Sequence, residues 1–459
     1  MNPNDWNKSD RFELELHSPV YPLSRGVDGL GEVLDVIESM DELRPDKLSV
    51  IKRRMKYSRQ ALRKHIDKAT GVGGDTSIIL FRSRPPDASW WISCFEGTQN
   101  ARFTLDFHVE PFAWFREPGK EEERAARCLD LVRALAARLP LSYGYAHSFT
   151  DYRLGPESSL LRKKFVPEQA IGTYWLNVYG PSLVEAMGRE RVFSTPAAHV
   201  EELPHGAVML LTRPTPADFD SEESRLAQAR ALVHLRPDLK LEETLTTLRQ
   251  RSLHFVPVPI QFHPDVAEIL LEEVRFHGLF RQREMVEKFN AYHPPPVSEW
   301  LPADQQRWPD VGGPEKVRGY LDAFERSFIQ VLQSPLNKLT PAIKARSLEA
   351  LPHMDWRVWR MGWGSKNALP ITRDILFKGL GAYLGVMLVR ELGGRWVPRR
   401  NLEETAVVVG DRAWLPFLRA RHALEGKDAP LDYSMTQLFR EARRIHGAAP
   451  SPMKSPASP

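Results

Sequence analysis

The stretch Phe12-Glu13-Leu14-Glu15-Leu16 alternates apolar and charged side chains without a break, a period of two that predicts a strand with one buried and one wet face. Leu30, Val33, Leu34 and Ile37 then recur at helical spacing, so a helix is expected over 29–40 and a second over 58–68. Three strands follow, around 78–81, 90–92 and 101–109, separated by turn-rich pieces. The clearest helical signature spans 121–139, where Cys128, Leu131, Val132, Leu135 and Leu139 form one apolar stripe. Glu121 to Glu123 sit at its positive end, where the helix dipole favours anions, and Pro140 stops it.

Further strands are expected over 143–149 and 171–179, then a short helix opened by Gly180-Pro181 and closed by Gly188. A strand pair over 192–202 and 207–212 precedes helices over 221–235 and 241–253. Val256-Pro257-Val258-Pro259 cannot continue a helix and marks a domain boundary. The expected division is an α+β domain over 1–257, a mostly helical domain over 258–447, and a Pro-, Ser- and Ala-rich disordered tail over 448–459. The fold class is therefore α+β, with an antiparallel or mixed sheet and flanking helices in the first domain. In the second, Asp265 is placed to cap a helix, and further helices are expected over 314–332, 372–392 and 436–445. Gly379, Gly381 and Gly385 each cost the 372–392 helix roughly 1 kcal/mol relative to Ala, which implies close packing of another element. A small β-hairpin, 395–398 with 405–409, follows Gly393-Gly394.

Composition narrows the function. A chain of 459 residues is too long for one ordinary core, and 42% hydrophobic with 27% charged residues is a globular balance. The 63 basic and 59 acidic residues leave a formal charge of +4, below the cation excess expected of a phosphate-backbone binder. Two cysteines, Cys94 and Cys128, make no disulfide framework and have no metal-type spacing; Cys128 reads as a buried hydrophobe within its stripe. The start Met1-Asn2-Pro3-Asn4-Asp5-Trp6 has neither the basic opening nor the apolar run of a signal peptide, and no run of about 18 apolar residues occurs, so a cytoplasmic protein is expected.

Several residue groups suit chemistry, and each also has a plainer reading. On the 102–110 strand, Asp106, His108 and Glu110 share the face opposite Phe103, Leu105, Phe107 and Val109. Two carboxylates flanking a histidine suit acid–base or metal chemistry, and the same alternation also marks any sheet with one wet face. Gly71-Val72-Gly73-Gly74-Asp75 has a helix before it and a strand after it, the reverse of a phosphate loop, and reads as a turn. No nucleophile elbow or zinc-helix motif occurs. Lys52, Arg53, Arg54, Lys56, Arg59, Arg63 and Lys64 form one basic cluster, and Arg395, Arg399, Arg400, Arg412, Arg419 and Arg421 a second. These suit phosphate or an acidic protein, and equally a solvated face. Trp356, Trp359 and Trp363 recur at helical spacing, as core or as a protein anchor rather than a base-stacking platform.

The segments Phe107-His108-Val109-Glu110-Pro111-Phe112-Ala113-Trp114-Phe115-Arg116-Glu117 and Ile171-Gly172-Thr173-Tyr174-Trp175-Leu176-Asn177-Val178-Tyr179-Gly180 resemble the bacterial type VI immunity family, linked to polymorphic and secreted toxins. Met55-Lys56-Tyr57-Ser58-Arg59, Leu62-Arg63 and Ser194-Thr195-Pro196 fit the same pattern, so the resemblance spans about residues 10–255. The remainder, with its Gly-rich helix and Gly393-Gly394-Arg395-Trp396-Val397, is similar to uncharacterised bacterial modules; immunity proteins are usually shorter. The resemblance implies an α+β scaffold that is not an enzyme, carries no cofactor, metal or catalytic residue, and blocks a cognate toxin or effector by binding it. Trp114, Arg116, Tyr152 and Arg153 are chosen as contact residues, on the expectation that they are exposed aromatics and arginines. The alternatives are a hydrolase-type enzyme using Asp106, His108 and Glu110, and a nucleic-acid binder using the basic clusters.

Overall fold

The alternating segment at the start becomes β1 (Phe12–Ser18), and it lies inside a ten-stranded sheet rather than at its edge. The computed structural model describes residues 6–50, 53–70, 76–96, 102–155, 172–306, 309–310, 322–324, 326, 347–360, 370–425 and 430–447. The glycine turn at 71–75, most of the expected 314–332 helix, Trp363 and the 448–459 tail lie outside the described residues. The chain folds as two compact units, one of residues 1–258 and 278–283, the other of 259–277 and 284–459.

In the first unit the remaining strands are β2 (Lys47–Val50), β3 (Arg53–Lys56), β4 (Thr76–Arg82), β5 (Asp87–Cys94), β6 (Phe103–Glu110), β7 (Tyr143–Ser148), β8 (Leu176–Tyr179), β9 (His199–Glu202) and β10 (Val208–Leu211). Their order is β3-β2-β4-β5-β6-β1-β7-β8-β10-β9, and each of these pairings is antiparallel. The register puts Phe12, Leu14 and Leu16 of β1 opposite Val109, Phe107 and Leu105 of β6, all buried. On the same face Trp90 of β5 stacks on Phe107 at 3.9 Å. The helices Gly31–Glu38 and Glu121–Ala136 cover this face with Val33, Leu34, Ile37 and the expected stripe of Cys128, Leu131, Val132 and Leu135. Each large side chain so buried is worth about 1.5–3 kcal/mol, which fixes the register and hence which residues are left on the other face.

That other face is divided. Towards β7 and β8 it is roofed by aromatic packing: Tyr143, Tyr145, Tyr174 and Tyr179 cluster with Tyr152 of the helix Phe149–Leu154. Towards β5, β6 and β1 it carries Ser89, Trp91, Asp106, His108, Glu13 and Glu15.

Three segments depart from the periodicity: the strand expected over 171–179 forms only over Leu176–Tyr179, and two others differ more. The 192–202 strand is shorter than expected: Arg189–Phe193 is helical, started afresh after Gly188 at φ +88°, and the strand begins only at His199. The basic run before the 59–70 helix is partly the edge strand β3, whose side chains Arg54, Met55 and Lys56 all face solvent and so leave no alternation to read.

The second unit is mainly helical, with Ala350–Arg360, Pro370–Leu392, Pro416–Glu425 and Met435–His446 around one core. The expected hairpin is half of a four-stranded sheet, β11 (Trp300–Pro302), β12 (Arg395–Val397), β13 (Ala406–Val409) and β14 (Arg412–Trp414), in the order β11-β14-β13-β12. β11 and β14 have three residues each, too few to register as alternation. The glycine-rich helix is closely packed as its composition implies: a Cβ on Gly385 would lie 1.9 Å from Trp396, and one on Gly381 would lie 2.3 Å from Phe417.

Candidate functional site

β1 and β6 are neighbours in register, so Glu13 faces His108 and Glu15 faces Asp106 across the ladder. β7 flanks β1 on its other side and sets Tyr145 opposite Glu15 and His147 opposite Glu13. β5 flanks β6 and sets Trp91 opposite Asp106 and Ser89 opposite His108. Three carboxylates, two imidazoles and a phenol thus meet on the sheet face, and the sequence placed only Asp106 and His108 among them.

The cluster is held by directed contacts. Tyr145 Oη lies 2.8 Å from Glu13 Oε1 and 2.9 Å from Glu15 Oε2. His108 Nε2 is 3.3 Å from Glu13 Oε2, and His17 Nε2 is 2.5 Å from Glu15 Oε1. Arg11 donates to Glu13 at 3.2 Å while its guanidinium lies over the Phe149 ring. Burial works against ionised Glu13, but the hydrogen bond and charge of His108, the charge of Arg11 and the Tyr145 hydroxyl hold its carboxyl below the usual range. Asp106 is pushed the other way, up to about 8, first by burial and then by the facing charges of Glu15 and Glu13. Glu110, the third residue of the expected acid–His–acid face, is exposed at the strand end, 4.0 Å from Arg11, and takes no part in the cluster.

A fixed frame stands beside the cluster on the same face. Asp151 and Arg225, both fully buried, pair through two hydrogen bonds of 2.6 and 2.7 Å. His147 Nε2 adds a 2.6 Å contact to the same carboxylate. Burial lowers the His147 pKa to about 4, so its imidazole is neutral at neutral pH. Asp10 ties the start of β1 to this helix, accepting from Ser148 Oγ and from Thr150 N and Oγ1. Burial raises its pKa to about 6. The anchored helix carries Tyr152, which stacks on Tyr145 at 4.4 Å and so positions the phenol against both glutamates.

Ser89 Oγ, His108 and Glu13 form a line, with 3.4 Å from Ser89 Oγ to His108 Nδ1. A serine nucleophile also needs two free N–H groups where an oxyanion would form. Ser89 sits mid-strand in β5, whose two edges are paired to β4 and β6, so its backbone amides serve the ladders. Among the described residues no three His, Cys, Asp or Glu side chains converge in a way that could hold a metal ion. The arrangement is suited to holding protons and charge on a rigid surface.

The four residues chosen as contacts do not form a surface. Trp114 is 8% exposed and Tyr152 7% exposed, so both belong to the core. Trp114 closes on Phe115 in the 112–116 turn, and Tyr152 has the positioning role just given. Arg116 is half-buried, donating to the Ala217 carbonyl and to Asp220 while lying over Trp6. Arg153 lies over Phe280. Aromatic type alone could not separate these core residues from the exposed Trp91, which is 42% exposed; the signal that could have done so is Trp90-Trp91, where one tryptophan of an alternating strand must face outward.

Many arginines of the two basic clusters are spent on carboxylates. Arg59 meets Asp35 and Glu38, Arg63 meets Asp28, Arg399 meets Asp310 and Glu404, and Arg421 meets Glu403 and Glu425. Arg419 is buried against Glu299. Trp356 is half-buried, donating to Glu273, and Trp359 packs on Phe289. Among the described residues no helix is long and apolar enough to cross a membrane.

No protein-family model matches this chain, and no curated protein matches it. A solved structure of a Pseudomonas aeruginosa T6SS (type VI secretion system) protein is a weak structural neighbour, 17% identical, covering 53% of this chain and 84% of its own at a TM-score of 0.35.

Proposed function

We propose that the chain is an immunity protein, which binds a cognate bacterial toxin or effector and neutralises it by stoichiometric association rather than by turnover. The observation that carries this reading is Trp91, a large aromatic standing exposed at the middle of an ordered inner strand, opposite Asp106 and beside His108. An aromatic anchor set in a charged surround on a rigid element is the anatomy of a protein-binding hot spot, and it needs no reactive group. The docking surface in this reading is the β5–β6–β1 part of the face, with Trp91 as anchor and Asp106, Glu15 and His108 beside it. The charged groups there orient and speed encounter with a partner of opposite charge.

The two segments that resemble immunity proteins support the same reading from another side. Residues 107–117 supply the second half of β6 and the turn after it, and the 171–180 segment supplies β8 and the aromatics Tyr174 and Tyr179 that cluster with Tyr145. They are therefore scaffold phrases, the parts that hold the face rather than the parts that touch a partner.

The test is a co-expression rescue. Each open reading frame next to the gene is induced in a sensitive host with and without this protein, and the pairs are then co-purified. One neighbour that is lethal alone, and harmless in a stoichiometric complex with this chain, is the expected result. No toxic neighbour and no complex would remove the reading, and Asp106 and His108, the residues of the expected acid–His–acid strand that lie in the cluster, would then be assayed for hydrolase activity.

A further inference from the structure

Strand register sets the side chains of the Trp91 face into two rows that continue outward to the edge strand β3. In one row Arg54 stands opposite Ser49, then come Ile79, Trp91, Asp106 and Glu15, each opposite the one before. Beside it run Lys56, Lys47, Phe81, Ser89, His108 and Glu13 across the same strands. Both rows have the same sense. Cations stand at the β3 end, Ile79, Phe81 and Trp91 in the middle, and carboxylates at the β1 end.

The cationic end is not neutralised from within. Among the described residues Lys47, Arg54 and Lys56 have no carboxylate at ion-pair distance, unlike Arg59 and Arg63 further along the same basic cluster. Lys47 and Lys56 stand directly opposite each other, a like-charge pairing that costs the ladder and that an anionic partner would relieve. Arg54 lies over the Phe81 ring at 4.8 Å, which keeps its guanidinium on this face. At the other end Arg11 is shared with Glu13, and Asp106 is pushed up to about 8, so the charge there at neutral pH rests on the glutamates. Neighbouring strands lie about 4.8 Å apart, and Trp91 stands two strands from β1 and three from β3.

We infer that the Trp91 face fits a partner protein that is itself split in charge, with a recess for Trp91, a basic patch about 10 Å to one side and an acidic patch about 14 Å to the other. This rests on the docking surface proposed above and adds the chemistry of the partner. A partner basic throughout meets repulsion at Lys47, Arg54 and Lys56, and a nucleic acid meets it at the glutamates. The two ends also fix the direction in which the partner lies, because only one orientation along the rows attracts at both.

The test is the association rate of the full chain with the toxic neighbour from the co-expression rescue, followed by stopped-flow fluorescence at about 20 mM and about 150 mM salt. Arg54→Glu combined with Lys56→Glu should slow association at least about tenfold at the lower salt, as should Glu15→Lys, and both effects should shrink at the higher salt. A partner basic throughout would instead bind the Arg54→Glu, Lys56→Glu chain faster. Faster or unchanged association of that variant overturns the inference and leaves the immunity reading standing, whereas a wild type that neither rescues nor binds removes both. A second copy is the rival occupant: a wild-type dimer in sedimentation that Trp91→Ala splits also overturns the inference. The paired variant is expected to fold, because both side chains are exposed and Lys56→Glu turns the pairing with Lys47 into an attractive one. Should it not, Arg54→Ala with Lys56→Ala tests the same sign at smaller size.

Discussion

Replacing Arg225 with Met removes a cation that the first unit holds at zero exposure. The guanidinium donates to both oxygens of Asp151 at 2.6 and 2.7 Å, to Ser252 Oγ at 2.8 Å and to Gln228 Oε1 at 3.1 Å. Arg225→Met leaves Asp151 as a buried carboxylate with only His147 for a partner. Breaking a buried pair from one side costs about 3–5 kcal/mol, against a typical total of about 5–15 kcal/mol for a folded domain. Asp151→Asn should cost a similar amount, by stranding the guanidinium. The double variant should cost less than the sum of the two, because neither charge is then left alone. Acid should narrow the Arg225→Met deficit. His147 titrates near 4 in the fold, well below its ordinary 6.5, so wild-type stability falls as pH drops through that window. Losing the nearby Arg225 charge lets His147 take a proton earlier and pair with Asp151. The assay is urea unfolding at about pH 5.5 and pH 8, with hydrogen exchange on peptides from 143–155 and 222–235 to place the loss. A deficit under about 1 kcal/mol for either single variant, or strictly additive losses, would refute the claim that this pair anchors the helix that carries Tyr152.

In the second unit, Gly385→Ala puts a methyl into the Trp396 ring and should destabilise by about 1–3 kcal/mol, despite the roughly 1 kcal/mol that Ala gains over Gly in a helix. Combining it with Trp396→Leu should recover part of the loss in thermal unfolding. Asp355 accepts from Met435 N, Thr436 N and Thr436 Oγ1 at the start of the last helix, so Asp355→Ala should cost about 1–2 kcal/mol. Burial raises the Asp355 pKa from its ordinary 3.8 to about 6, so the folded state binds the extra proton. Its contribution is complete below about pH 4 and is lost as pH rises through about 6, and a stability profile compared with Asp355→Asn should show that decline. Trp91→Ala, at an exposed position, should change stability by no more than about 1 kcal/mol, as measured by urea unfolding.

Sequence pattern gave up the skeleton where one period ran long enough. β1, β5, β6 and the 121–136 helix were legible because each buries one complete face. It failed where segments are short or solvated throughout, as at β3, β11, β14 and the helix Arg189–Phe193. The site was legible one strand at a time. Glu13 and Glu15 read as the wet face of β1, yet Glu13 is buried in the fold, as are His17 and Ser18; Asp106 and His108 read as wet-face residues of β6, and the meeting of all four depends on which strands are neighbours. That β1, first in the chain, inserts between β6 and β7 is a long-range choice that no local window contains. Tyr145 and Tyr152 were hidden for the same reason, and Trp114 and Tyr152 were misjudged as surface because an aromatic residue signals burial and binding equally.

The central claim is that a toxin docks on the face around Trp91, and the most direct measurement is the co-expression rescue repeated with surface variants. Trp91→Ala and Glu15→Lys are each expected to fold, to lose the complex with the toxic neighbour, and to lose protection of the host. Lys240→Ala, at an exposed helix start where Lys240 pairs with Glu243, should protect as well as the wild type. Full protection by folded Trp91→Ala and Glu15→Lys alike, with the complex intact, would contradict the account and move the interface elsewhere on the chain.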